Sequence, residues 1–147
     1  MGLELQTEQY FDKLSLNQSL SLVNAKVLKG DSSININKND KIPMVPEMKI
    51  TLGAKYSLTD RLSLLANYTY ISEKEVRELD DEDNIKKFTI DSYGTIDLST
   101  MYQIDEYSNL KLGVKNLTST KYNLRETSIE AFPAPERNYF IELNVKF

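Results

Sequence analysis

Apolar and polar residues alternate at a period of two along most of this chain. Near its end, Tyr139, Ile141, Leu143, Val145 and Phe147 fall on one side, with Glu142, Asn144 and Lys146 on the other. Side chains of a strand point alternately to its two faces, so this pattern predicts a strand with one apolar and one mostly polar face. The same pattern recurs upstream. Leu3 and Leu5 stand against Glu4, Gln6 and Glu8, and Leu14, Leu16, Leu20 and Leu22 against Ser15, Asn17, Ser19 and Ser21. Met48, Ile50, Leu52, Ala54 and Tyr56 share a face, as do Leu62, Leu64, Ala66, Tyr68 and Tyr70. Ile96, Leu98 and Tyr102 follow, then Leu110, Leu112 and Val114. The pattern predicts seven strands, at about 2–10, 13–27, 47–58, 61–72, 88–103, 108–117 and 139–147.

The connections alternate in length. Short turns fall at 11–12, 59–60 and 105–107; long polar segments run over about 28–46, 73–87 and 118–136. Short turns on one rim and long loops on the other mark a transmembrane β-barrel, whereas soluble sandwiches space their turns more evenly. The predicted strands also exceed the usual length of about 5–6 residues and reach the ~9–11 needed to cross a bilayer at a tilt. From the second strand to the seventh, the apolar face carries no charge. The expected fold is therefore all-β, an antiparallel up-and-down meander forming part of a barrel wall. Seven strands leave two open edges, which hydrocarbon does not tolerate. The chain then reads as a section of a larger barrel. An eighth strand within 118–131 is a weaker alternative.

Composition sharpens this reading at a few points. Net charge is 18 − 22 = −4 in 147 residues, which gives no reason to expect nucleic acid as a partner. The mean hydropathy is negative and no apolar run reaches the ~18 residues of a membrane helix, but barrel strands need apolar residues only at alternate positions. Nine Tyr and no Trp make a Tyr-heavy aromatic set; Tyr56, Tyr68, Tyr70, Tyr102 and Tyr139 fit interfacial girdles. With neither Cys nor His, the chain has no thiolate or histidine metal site and no Ser-His-Asp triad. No catalytic motif or cofactor fingerprint is present, so no enzyme and no cofactor is expected. Residues 1–6 lack the basic and apolar segments of a signal peptide, so the expectation is a mature protein or a piece of a longer one.

Several segments carry a family resemblance in the right order. Ile42-Pro43-Met44-Val45-Pro46-Glu47, leading into Leu52-Gly53-Ala54-Lys55-Tyr56, resembles the Pro-x-x-Pro approach to a late strand of TonB-dependent outer-membrane receptors. Leu58-Thr59-Asp60-Arg61-Leu62, then Asn67-Tyr68-Thr69-Tyr70, is similar to the next turn and strand, and Tyr93-Gly94-Thr95-Ile96-Asp97-Leu98 to the strand after it. Leu112-Gly113-Val114-Lys115-Asn116-Leu117 and Lys121-Tyr122 look like that family's penultimate strand and exit. Pro133-Ala134-Pro135-Glu136-Arg137-Asn138-Tyr139 resembles the approach to the last strand, with Glu136 where the family often has Gly. The resemblance covers about 42–147 well and the first 30 residues loosely.

The resemblance implies the C-terminal portion of a 22-stranded barrel over residues 1–147. The plug domain, the segment that engages TonB and the earlier strands are not among these residues. It further implies an outer-membrane location, lipid around the wall, and TonB-energised uptake of a scarce nutrient, most often an iron-siderophore complex. TonB would act only through the plug. Tyr139, Ile141, Leu143, Val145 and Phe147 resemble the terminal signal read by the barrel-assembly machinery. Arg77, Arg125 and Arg137, in or beside the long loops, are candidates to meet an anionic ligand. The acidic run Asp80-Asp81-Glu82-Asp83 lacks calcium-loop spacing and reads as a solvated loop. Two other classes remain open on the residues alone: a small soluble β-barrel or sandwich binding module, and an eight-stranded structural or adhesive outer-membrane barrel.

Overall fold

The computed structural model describes residues 1–30, 37–79, 85–126 and 130–147. In chain order the strands are β1 (Gly2–Phe11), β2 (Leu14–Val23), β3 (Met48–Ser57), β4 (Leu62–Ile71), β5 (Lys74–Leu79), β6 (Ile85–Ile90), β7 (Tyr93–Gln103), β8 (Ser108–Lys115), β9 (Asn123–Glu126), β10 (Ala131–Pro133) and β11 (Asn138–Val145). Seven of them form one antiparallel sheet in the order β1-β2-β3-β4-β7-β8-β11, and β5-β6 and β9-β10 are separate two-stranded ribbons. Every neighbour in the large sheet is also the next of the seven in sequence, so the sheet is a meander.

The register makes the two faces explicit. Leu3 pairs with Leu22, Leu22 with Met48, Ile50 with Tyr70, and Tyr70 with Gly94. Ala66 pairs with Leu98, Leu98 with Val114, and Val114 with Tyr139. Since paired residues point the same way, all the apolar sets identified above share one surface, and the opposite surface carries Glu4, Glu8, Lys49, Lys55, Asp97, Lys111, Lys115 and Glu142.

Among the described residues, nothing packs on that apolar surface. Leu52, Leu64, Leu98, Leu112 and Ile141 are all exposed. Among the described residues the buried hydrophobic side chains are Val76, Ile90 and Ala134, none of which lies in the large sheet. A sandwich would close a second sheet over such a face; here the face is charge-free and open.

The short turns sit together at one rim and are locally closed. Phe11 pairs with Leu14 across Asp12 and Lys13. The Thr59 hydroxyl accepts the Leu62 N–H at 3.0 Å. Asp105 Oδ1 accepts N–H groups from Tyr107 and Ser108 at 2.9 and 2.8 Å; the Ser108 and Tyr107 donors hold its carboxyl below the ordinary aspartate range. Side-chain acceptance of this kind is what fits Asp and Thr for tight turns.

The structure departs from the sequence reading inside the long connections. The second contains the β5-β6 ribbon and the third the β9-β10 ribbon. The strand expected over about 88–103 is divided: Phe88 and Ile90 belong to β6, and Asp91-Ser92 turns the chain into β7. The second strand stops at Val23. β9, within the stretch weighed as an eighth strand, pairs only with β10.

Candidate functional site

The long connections leave the rim opposite the short turns. The 24–47 segment folds back on itself: Val27 N–H donates to Asp40 O at 2.9 Å, and Ile42 N–H to Ala25 O at 3.1 Å. Its reversal uses left-handed backbone at Asn39 (φ 72°). The segment then meets the β5-β6 ribbon, where Met44 N–H donates to Glu75 O at 2.8 Å. Between them, at the outer ends of β2, β3 and β4, is a cleft of about 310 Å³ lined by Ile42, Val45 and Thr89 together with Lys41, Glu47 and Glu75. Lys41 Nζ lies 2.8 Å from Glu47 Oε1. The Glu47 hydrogen bond and charge, with Glu73 and Glu75 nearby, raise the Lys41 ammonium pKa.

Arg77 is held inside this junction. Its Nη1 donates to Asp40 Oδ2 at 3.0 Å and its Nε donates to Glu75 Oε1, leaving the side chain only 9% exposed. Arg125 is exposed at the β9-β10 ribbon with its guanidinium 5.9 Å from the Phe132 ring centroid. Arg137 donates from Nε to Leu117 O at 2.7 Å. The three arginines expected to meet a ligand thus each have a local partner and do not form one cluster. The acidic run 80–83 lies outside the described residues.

Sequence reasoning passed over Asn116 at this rim, whose side chain makes three hydrogen bonds. It lies one residue beyond β8, is 4% exposed, and adopts φ 51°. Its N–H donates to Asp97 Oδ1 at 2.8 Å, its amide donates to Thr120 O at 2.9 Å and Pro135 O at 3.4 Å, and its carbonyl accepts the Thr120 N–H at 2.9 Å. This knot ties the end of β8 to β7 and to the approach to β11. Tyr93 and Tyr122 stack beside it with ring centroids 3.8 Å apart. The Gly-x-x-Asn-Leu spacing was the available signal, but nothing in it indicates that the asparagine is buried.

On β11, Tyr139, Ile141, Leu143 and Val145 stand on the apolar face opposite Val114, Leu112, Leu110 and Ser108. Phe147 lies beyond the strand, fully exposed, after Lys146 N–H donates to Tyr107 O at 2.9 Å. The C-terminus is therefore at the short-turn rim. Tyr56 and Tyr102 sit near that rim of the apolar face, and Tyr68, Tyr70 and Tyr139 towards the other. From the Leu62–Tyr102 pair to the Tyr70–Gly94 pair is eight residues of β4. That is about 26 Å along the strand at ~3.3 Å per residue, or about 20 Å of height at the ~40° tilt of outer-membrane strands, which covers most of their ~25 Å apolar band.

The family profile described as "TonB dependent receptor-like, beta-barrel" matches residues 1–117. The chain belongs to the TonB-dependent receptor family. A comparison with curated protein sequences found no match. Solved TonB-dependent receptors share its fold. A mutant of the ferric enterobactin receptor of Pseudomonas aeruginosa superposes with a TM-score of 0.76 at 18% identity, over 99% of this chain and 22% of that one. The siderophore receptor PiuA of Acinetobacter baumannii gives 0.73 at 21% identity, over 99% and 21%. The ferric-catecholate import receptor Fiu of E. coli K12, closed form, gives 0.75 at 19% identity, over 99% and 20%. The chain spans about a fifth of the length of these receptors. Its long-loop rim and apolar wall are thus elements of a TonB-dependent receptor barrel.

Proposed function

We propose that this chain is the C-terminal section of an outer-membrane receptor that takes up an iron-siderophore complex with energy from TonB. It supplies seven strands of wall, part of the outer loop rim and the terminal assembly strand. The observation that carries this reading is the charge-free apolar surface running unbroken over all seven strands, on which nothing packs among the described residues, as suits lipid rather than a soluble core. The two open edges are to be paired by strands of the same receptor, whose plug couples to TonB. Tyr139, Ile141, Leu143, Val145 and Phe147 present the terminal strand to the barrel-assembly machinery. Arg125 and Arg137, on the loop side, are the cations most available to an anionic ligand; Arg77 is already engaged by two carboxylates. A siderophore is favoured because the solved relatives include receptors for ferric enterobactin, ferric catecholates and ferripyoverdine.

The test is uptake of radiolabelled ferric enterobactin and ferripyoverdine by iron-starved cells carrying or lacking the gene segment for this chain, with TonB intact or disabled. Uptake that needs both the segment and TonB is expected. Transport that persists without TonB overturns the reading, as does recovery of the natively folded chain as a soluble monomer in plain buffer.

A further inference from the structure

The β5-β6 ribbon has a built-in conflict. Arg77 and Lys87 are direct cross-strand partners, so two cations face each other on one side of a two-stranded ribbon. Like charges placed this way weaken a strand pair. Glu75, two residues along the same face, answers Arg77. The second carboxylate comes from elsewhere: Asp40, 37 residues earlier in sequence, reaches Arg77 at 3.0 Å. Its charge is also felt by Lys87. Both ends of the Asp40–Arg77 contact are largely shielded, with side-chain exposures of 19% and 9%.

Asp40 is itself fixed. Its Oδ2 accepts the Asn37 N–H at 3.0 Å, and its carbonyl accepts the Val27 N–H. The carboxylate is thus held in place by backbone groups of Asn37 and Val27. The same segment contributes Lys41, Ile42 and Val45 to the cleft whose other wall is Glu75 and Thr89 of the ribbon. A second joint, Met44 N–H to Glu75 O, lies beside it.

We propose that Asp40 is a clamp that holds residues 37–46 against the β5-β6 ribbon, so that these residues and the two ribbon strands keep one relative position and the cleft between them keeps its shape. Neutralising Asp40 removes the anion between Arg77 and Lys87 and leaves the segment joined to the ribbon through the Met44 hydrogen bond and the attraction of Lys41 to Glu75. Lys41 already pairs with Glu47, and it cannot supply the negative charge that Arg77 and Lys87 lose. The Asn37 N–H, then the Arg77 and Lys87 charges, hold the Asp40 carboxyl below its ordinary value. A depressed carboxyl contributes its clamp above the unfolded-state value and loses it as pH falls through the folded one. The clamp therefore stays shut from neutral pH down past the ordinary aspartate range of about 4.

These 147 residues contain no Cys, so spin labels compete with no thiol of this section, and any Cys elsewhere in the receptor is first replaced by Ser. One pair, Lys38→Cys with Lys86→Cys, spans the clamp; a control pair, Lys74→Cys with Lys86→Cys, reports on the ribbon alone. In the membrane-embedded receptor at pH 7 the spanning pair is expected to give one narrow distance distribution, unchanged at pH 5. Asp40→Asn should broaden it towards longer distances while the control pair stays narrow, and Arg77→Gln should do the same. An unchanged spanning distribution in Asp40→Asn overturns the clamp. So does equal broadening of both pairs, which would mean that Asp40 holds the ribbon itself together, and so does broadening of the unmutated protein between pH 7 and pH 5.

Discussion

Asn116 does three jobs with one side chain. It accepts left-handed backbone that Asn tolerates better than other non-glycine residues. It also satisfies both Thr120 backbone groups and caps Pro135 O. Asn116→Ala keeps the left-handed backbone and removes those hydrogen bonds; Thr120 is half-buried and Pro135 exposed, so water replaces part of what is lost and about 1–2 kcal/mol is the expected cost. Asn116→Gly loses the same hydrogen bonds but relaxes the backbone and should cost about 1 kcal/mol less. Urea unfolding of the folded receptor in lipid vesicles gives both values, and equal losses would remove the backbone part of the account. Gly113 is constrained in another way: a Cβ there would stand 2.6 Å from the Phe140 ring and 2.7 Å from Ser99 Cβ. Phe140 lies under the ammonium groups of Lys111 and Lys115, at 5.8 and 5.6 Å. Gly113→Ala must push that ring aside, and overpacking of this kind costs about 1–3 kcal/mol. The same unfolding assay should register it.

The long strands were legible because each alternates strictly, and a one-residue slip would turn its whole apolar set to the wrong face. The ribbons were not. In β5, Lys74, Glu75, Arg77 and Glu78 surround Val76, so charge stands on both faces and no period of two is visible. What holds the ribbon is tertiary: Val76 and Ile90 are buried at 5% and 3%, and Asp40 arrives from another loop. Arg77 was conspicuous as a loop cation, but its pairing with residues 37 and two positions away made it structural at the level of contacts. No spacing rule joins residues 40, 77 and 87. The face assignment makes a sharp prediction at this scale. Leu98, in the middle of the apolar face between Ala66 and Val114, and Asn67, on the polar face opposite Gly53 and Asp97, lie on adjacent strands. Leu98→Arg should cost about 2–4 kcal/mol in a bilayer, and Asn67→Arg no more than about 0.5 kcal/mol. Equal costs would mean that the apolar face is not against lipid.

At the scale of the molecule, the sheet has every device of a membrane wall except closure. β1 and β11 are its two edges, and each is bonded to one neighbour only. In hydrocarbon each unpaired backbone group costs several kcal/mol, so a row of them along two strands outweighs the burial of the apolar face. On the apolar face of the sheet, the edge strands are strongly exposed: Tyr139 at 78% and Ile141 at 72% on β11, Leu3 at 60% and Leu5 at 57% on β1. The wall is therefore stable only when other strands pair with both edges. Expressed alone, the chain should enter liposomes poorly and associate edge to edge. Joined to the other strands of the proposed longer receptor, it should give a monomer whose mobility on SDS gels changes on boiling. With β11 proposed as the strand offered to the assembly machinery, removing Phe147 within the proposed longer receptor should slow membrane insertion more than removing the side chain of Met1, which is also fully exposed. Pulse-chase folding of the two variants decides this, and identical insertion rates would leave β11 as wall alone.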